Sequence, residues 1–84
     1  MTVQSPTSVS STHVARVMVA AALSAVSCAE AIQTSDEAAA SLHLRQLRSA
    51  LKELERIAPG SQDVAVLRRH EARLSERIDG ALLA

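Results

Sequence analysis

The 84-residue sequence predicts an all-α protein of three helices, at about 12–33, 36–58 and 62–83, and three observations carry that prediction. Alanine, leucine, valine and isoleucine supply the apolar content without a single Phe, Tyr or Trp, and Ala and Leu are strong helix formers. Proline and glycine total four residues, so few positions oppose helix. Apolar residues in the second half recur in steps of three and four, the spacing of one helix face.

Residues 1–11 are polar, β-branched and interrupted by Pro6, a composition that does not offset its own ordering entropy; a flexible tail is expected there. The rest, 12–84, is expected to be one small domain. Ser11 or Thr12 is placed to cap the first helix. From Val17 to Ala29 that helix carries no charge, and Val19, Leu23 and Val26 lie opposite Val14, Val17, Ala21, Cys28 and Ile32. A helix apolar all round is expected to be buried.

Thr34 and Glu37 have capping-box spacing, with Asp36 and Glu37 placing negative charge at the positive end of the second helix. Its seam is Ala40, Leu44, Leu47, Leu51, Leu54 and Ala58. Pro59-Gly60 ends it, since proline lacks the amide donor and glycine tolerates a left-handed backbone. Ser61 then caps the third helix, whose stripe is Val64, Leu67, Leu74, Ile78 and Leu82. The short connection predicts an antiparallel hairpin of the last two helices, turned at Pro59-Gly60.

Glu71 falls inside the third stripe, where a leucine fits better. A buried carboxylate needs a partner, so Glu71 either sets register against a basic residue of another protein or reaches the rim into solvent. Arg45, Arg48, Lys52 and Arg56 form a ridge beside the second helix's seam, and Arg69, Arg73 and Arg77 are expected on the outer face of the third helix. Glu53, Glu55, Glu76 and Asp79 are interleaved with them, net charge is zero, and no aromatic is present for base stacking. A solvated face with ion pairs is expected, and no nucleic acid.

Cys28 has two readings. It is either a small buried hydrophobe or the lipidated residue of a bacterial lipoprotein signal, with Arg16 as the basic region and 17–27 as the short apolar run. The run reads as too short and too alanine-rich to cross a membrane. Membrane contact is therefore expected only under the lipoprotein reading, and a cytoplasmic protein otherwise. One cysteine forms no internal disulfide, and His13, His43 and His70 are too scattered for a metal motif. No phosphate loop, nucleophile elbow or paired acids appear, so neither an enzyme nor a cofactor is expected.

A small chain without disulfide or metal needs an oligomer or a partner to reach stability. The stretch Leu44-Arg45-Gln46-Leu47-Arg48-Ser49-Ala50-Leu51-Lys52-Glu53-Leu54, the Gly-containing turn, and 61–67 through 71–75 resemble the small co-chaperones of type III secretion needle subunits. That resemblance covers roughly the last half of the chain and implies a helical hairpin that joins a partner chain in the cytoplasm. The expected role is a protein-binding chaperone or adaptor, in a hetero-complex or homo-oligomer. The surface expected to meet the partner is Leu44, Leu47, Leu51, Leu54, Val64, Leu67, Glu71, Leu74, Ile78 and Leu82. A structural subunit of a helical assembly, such as a secretion needle or phage component, is the alternative beside the lipoprotein.

Overall fold

The computed structural model describes the backbone of residues 11–83 and the side chains of 11–80. The expected tail, except Ser11, lies outside the described residues, as does the side chain of Leu82. Three helices follow in order: α1 (Ser11–Gln33), α2 (Glu37–Ile57) and α3 (Gln62–Leu83). Each lies within a residue of its expected limits. Ser11 and Thr12 are already helical, so neither is the cap of α1.

The α1–α2 connection differs from the expected capping box. The Asp36 amide donates to the Ala31 carbonyl at 2.8 Å and the Ser35 amide to that of Ile32 at 3.1 Å, with Ser35 left-handed at φ 60°. That bond pair is a Schellman motif closing α1. Thr34 belongs to it: its hydroxyl turns back to the Glu30 and Ala31 carbonyls, 3.2 Å from each. Asp36 is the N-cap of α2 instead, its carboxylate accepting from the Ala39 amide at 3.1 Å. With Thr34 engaged by the preceding helix, the next residue able to cap α2 takes over.

The α2–α3 connection forms as expected. Ala58, at φ −140° and ψ 58°, has left the helical region that a following proline disfavours, and its carbonyl accepts from the Ser61 amide at 3.3 Å. Pro59 and Gly60, the latter at φ 80°, are the central pair of a type II turn. The Ser61 carbonyl accepts the first helical bond, from Ala65, which puts Ser61 at the N-cap position.

Cross-helix contacts fix the directions. His13 Nε2 lies 3.7 Å from Glu53 and Cys28 Sγ lies 3.3 Å from the Ala40 carbonyl, so α1 runs antiparallel to α2. Arg48 meets Glu71, and Arg68 meets Glu55, so α3 runs antiparallel to α2 and parallel to α1. The core sits around α2: Leu47, Leu51 and Leu54 are 0% exposed, with Ala21, Cys28 and Ala31 from α1 and Val64, Leu74 and Ile78 from α3 packed about them.

The α2–α3 hairpin is nevertheless not the more intimate pair; α1 packs along α2 more extensively. Side-chain size explains it. The α1 face toward α2 is made of Ala21, Cys28 and Ala31, which let the backbones approach, whereas the α3 stripe contains Glu71 and a half-buried Leu67.

A candidate docking groove between the first and third helices

The face of α1 turned away from α2 is not covered. Val19, Leu23 and Val26 are 57%, 61% and 55% exposed, so the expectation of a helix buried all round fails on this side. The reason is numerical: two neighbours in a three-helix bundle cover only part of a helix's circumference, and α1 is apolar on the rest as well.

Between that face and α3 lies an open groove of about 750 Å³. On the α1 side its wall is Val19, Ala22, Ala25 and Val26; on the α3 side Val66, Leu67 and Leu74 complete the apolar surface. The groove exists because α3 is held by α2, while the alanines of α1 are too short to reach it and no aromatic fills the gap. Its polar rim comes from α3 alone: Asp63 at the N-terminal end, His70 in the middle, Arg73 and Arg77 toward the other end. Arg73 and Arg77, expected on the outer face of α3, therefore line the groove.

The ten residues expected to meet a partner are placed otherwise. Leu44, Leu47, Leu51, Leu54, Val64, Leu74 and Ile78 are buried in the chain's own core, Leu67 is half-buried at the groove floor, and Leu82 lies outside the described side chains. The seam turns inward because α1 supplies the cover that a partner helix otherwise provides. Glu71 is likewise used within the chain. Its side chain is 15% exposed, and its carboxylate lies 3.6 Å from Arg48 Nε of α2 and 3.7 Å from Arg68 of its own helix. It sets the register of α3 on α2.

Cys28 is enclosed in the core, its thiol donating to the Ala40 carbonyl. Burial pushes the thiol's pKa up, and the nearby positive charge of Arg77 opposes that in part. A raised pKa keeps the thiol protonated and poorly nucleophilic. Among the described residues no three His, Cys, Asp or Glu side chains converge as a metal site. His43 bonds Gln46 at 3.0 Å, and His70 is exposed on the groove.

One sequence expectation about α1 changes. The helix is 23 residues long, with an 18-residue stretch of mean hydropathy 1.6, long and apolar enough by length and composition to cross a membrane. The apolar run alone is short; Ser11–Arg16 and Glu30–Gln33 extend the helix on both sides. No family model, curated protein or solved structure matches this chain.

Proposed function

We propose that the chain is a non-catalytic interaction module whose working surface is the groove between α1 and α3. The observation that carries this reading is the uncovered stripe of Val19, Leu23 and Val26 beside the groove's apolar wall. A small protein leaving contiguous apolar surface in water has a reason to bury it elsewhere. Its shape, long and lined by residues spaced three and four apart, suits a helical surface. A chaperone or adaptor of the kind implied by the resemblance to needle-subunit co-chaperones falls within this reading, with the docking surface moved from the α2–α3 seam to the outer face of α1. The test is Leu23→Glu, which leaves the core untouched. Association of the full chain should be lost while far-UV circular dichroism stays the same. Unchanged association in that variant would sink the reading.

A membrane-directed α1 is a second reading, favoured by its length and hydropathy. In its lipoprotein form, processing before Cys28 removes most of α1 and exposes the leucines of α2. The enclosure of Cys28 and the fit of α1 over Leu47 and Leu51 support a retained helix instead. Intact mass of the native product distinguishes the two: a lipidated species beginning at Cys28 establishes the second reading.

A further inference from the structure

The groove is apolar on one wall and charged on one rim, and that asymmetry constrains what can fill it. On α1 the wall is built from Ala22, Ala25 and Ala29, in steps of three and four, with Val19 and Val26 beside them. Alanines at those steps leave hollows about one helical turn apart, and the chain has no Phe, Tyr or Trp of its own to fill them. Large apolar side chains on an occupant, repeated in the same steps, match the hollows. A flat lipid surface gains nothing from them, whereas a helix meets one with each turn.

Charge narrows the occupant further. Arg16 and Glu30 of α1 stand outside the groove, so the α1 wall brings no charge to it. The α3 rim brings Asp63 at its N-terminal end and Arg73 and Arg77 toward the other. No carboxylate among the described residues pairs with Arg73 or Arg77, whereas Arg48, Arg56 and Arg68 each have one within the chain. Glu76 and Asp79 are exposed on α3 but do not line the groove. An occupant therefore meets two unpaired guanidinium groups on one flank and apolar surface on the other.

Direction follows from the same groups. Because α1 and α3 run parallel, the negative ends of both helix dipoles lie toward the Arg77 end of the groove. A helix laid antiparallel to them brings its N-terminus there. That terminus carries the positive end of its own dipole, where acidic side chains are stabilising. Its acids then face Arg73 and Arg77, and a basic residue near its C-terminus faces Asp63. The fourteen positions from Asp63 to Arg77 span about 21 Å at 1.5 Å per residue, the length of about four helical turns.

We propose that the groove holds an amphipathic helix of another protein, antiparallel to α1 and α3, with acidic residues on one flank of its N-terminal half. The proposal rests on the groove being the working surface and names what that surface takes. A second copy offers no such helix among the described residues. Its α1 has no acidic residue in the first turn, and the apolar stripes of α2 and α3 are spent on the core. Without the partner the exposed valines of α1 still associate, so association of the chain alone reports the surface and not its occupant.

Fluorescence anisotropy of the full chain with two labelled helical peptides tests this. Both peptides carry leucines in steps of three and four over about four to five turns. One has glutamates along one flank of its N-terminal half and a lysine near its C-terminus; the control has those two charge blocks exchanged. The first should bind roughly tenfold more tightly than the control, and Arg73→Glu with Arg77→Glu should erase or reverse that preference. Arg73→Gln with Arg77→Gln, which adds no charge, should weaken the first peptide in the same direction, and circular dichroism checks each fold. Val26→Glu should abolish binding of both peptides. Equal affinity for the two peptides overturns the oriented acidic helix, while loss of both in Val26→Glu keeps the groove as the working surface. Binding of the wild type to phosphatidylglycerol vesicles and to neither peptide overturns the proposal in favour of a lipid surface. Self-association that the first peptide does not displace overturns it in favour of a second copy. A wild type that binds neither peptide nor vesicles and stays monomeric removes the proposed function as well.

Discussion

Leu51 is fully enclosed and sits between both neighbouring helices, so truncating it leaves a hole that neither can fill. Leu51→Ala should cost about 2–5 kcal/mol, a large fraction of the stability of a domain this small, and thermal unfolding will measure it. Cys28 gives a second residue-scale expectation. The folded protein should resist iodoacetamide at pH 8, and denaturant should make the thiol fully reactive; rapid alkylation of the native chain contradicts the buried site. The pKa of Glu53 is held low chiefly by its hydrogen bond to Arg56, with His13 adding to it. A depressed folded-state pKa contributes stability above the unfolded pKa and loses it as pH falls through the folded value. The pair is open to solvent, so Glu53→Gln should change unfolding little at any pH. At this scale the apolar seam was legible in the sequence, because leucine spacing alone selects Leu47, Leu51 and Leu54, but not that the chain's own α1 covers it in place of a partner. The partners of Glu71 were not legible, since they depend on how α3 is set against α2.

The two connections are built differently, and their substitutions should answer differently. Asp36→Ala removes the side-chain acceptor of the Ala39 amide and should cost about 1 kcal/mol. Thr34→Ala, which the capping-box spacing singled out, should cost less, because Thr34 only reinforces carbonyls at the end of α1. Equal losses in chemical denaturation would contradict the assignment of Asp36 as cap. Ser35 holds a left-handed backbone without being glycine, so Ser35→Gly should gain up to about 1 kcal/mol. Gly60→Ala should lose a similar amount through φ alone, for its missing side chain would meet nothing within 4 Å. Helix limits were readable to a residue because Pro59, Gly60 and Asp36 act locally. The choice between Thr34 and Asp36 was not, because it depends on a backbone motif spanning two helices.

The whole molecule is a three-helix bundle in which α2 is the centre and α1, not a partner protein, covers its seam. The sequence showed that α1 is apolar on all sides, but only the packing decides which side is spent on the fold and which is left in water. The groove then becomes the natural site for association, and its closure should stabilise the fold by mass action. The most direct test is the midpoint of thermal unfolding followed by circular dichroism over a hundredfold range of protein concentration, for the wild type and for Leu23→Glu. The wild-type midpoint should rise by several degrees with concentration, while that of Leu23→Glu stays constant at the same helicity. A wild-type midpoint independent of concentration, equal to that of the variant, would contradict an association surface on the outer face of α1.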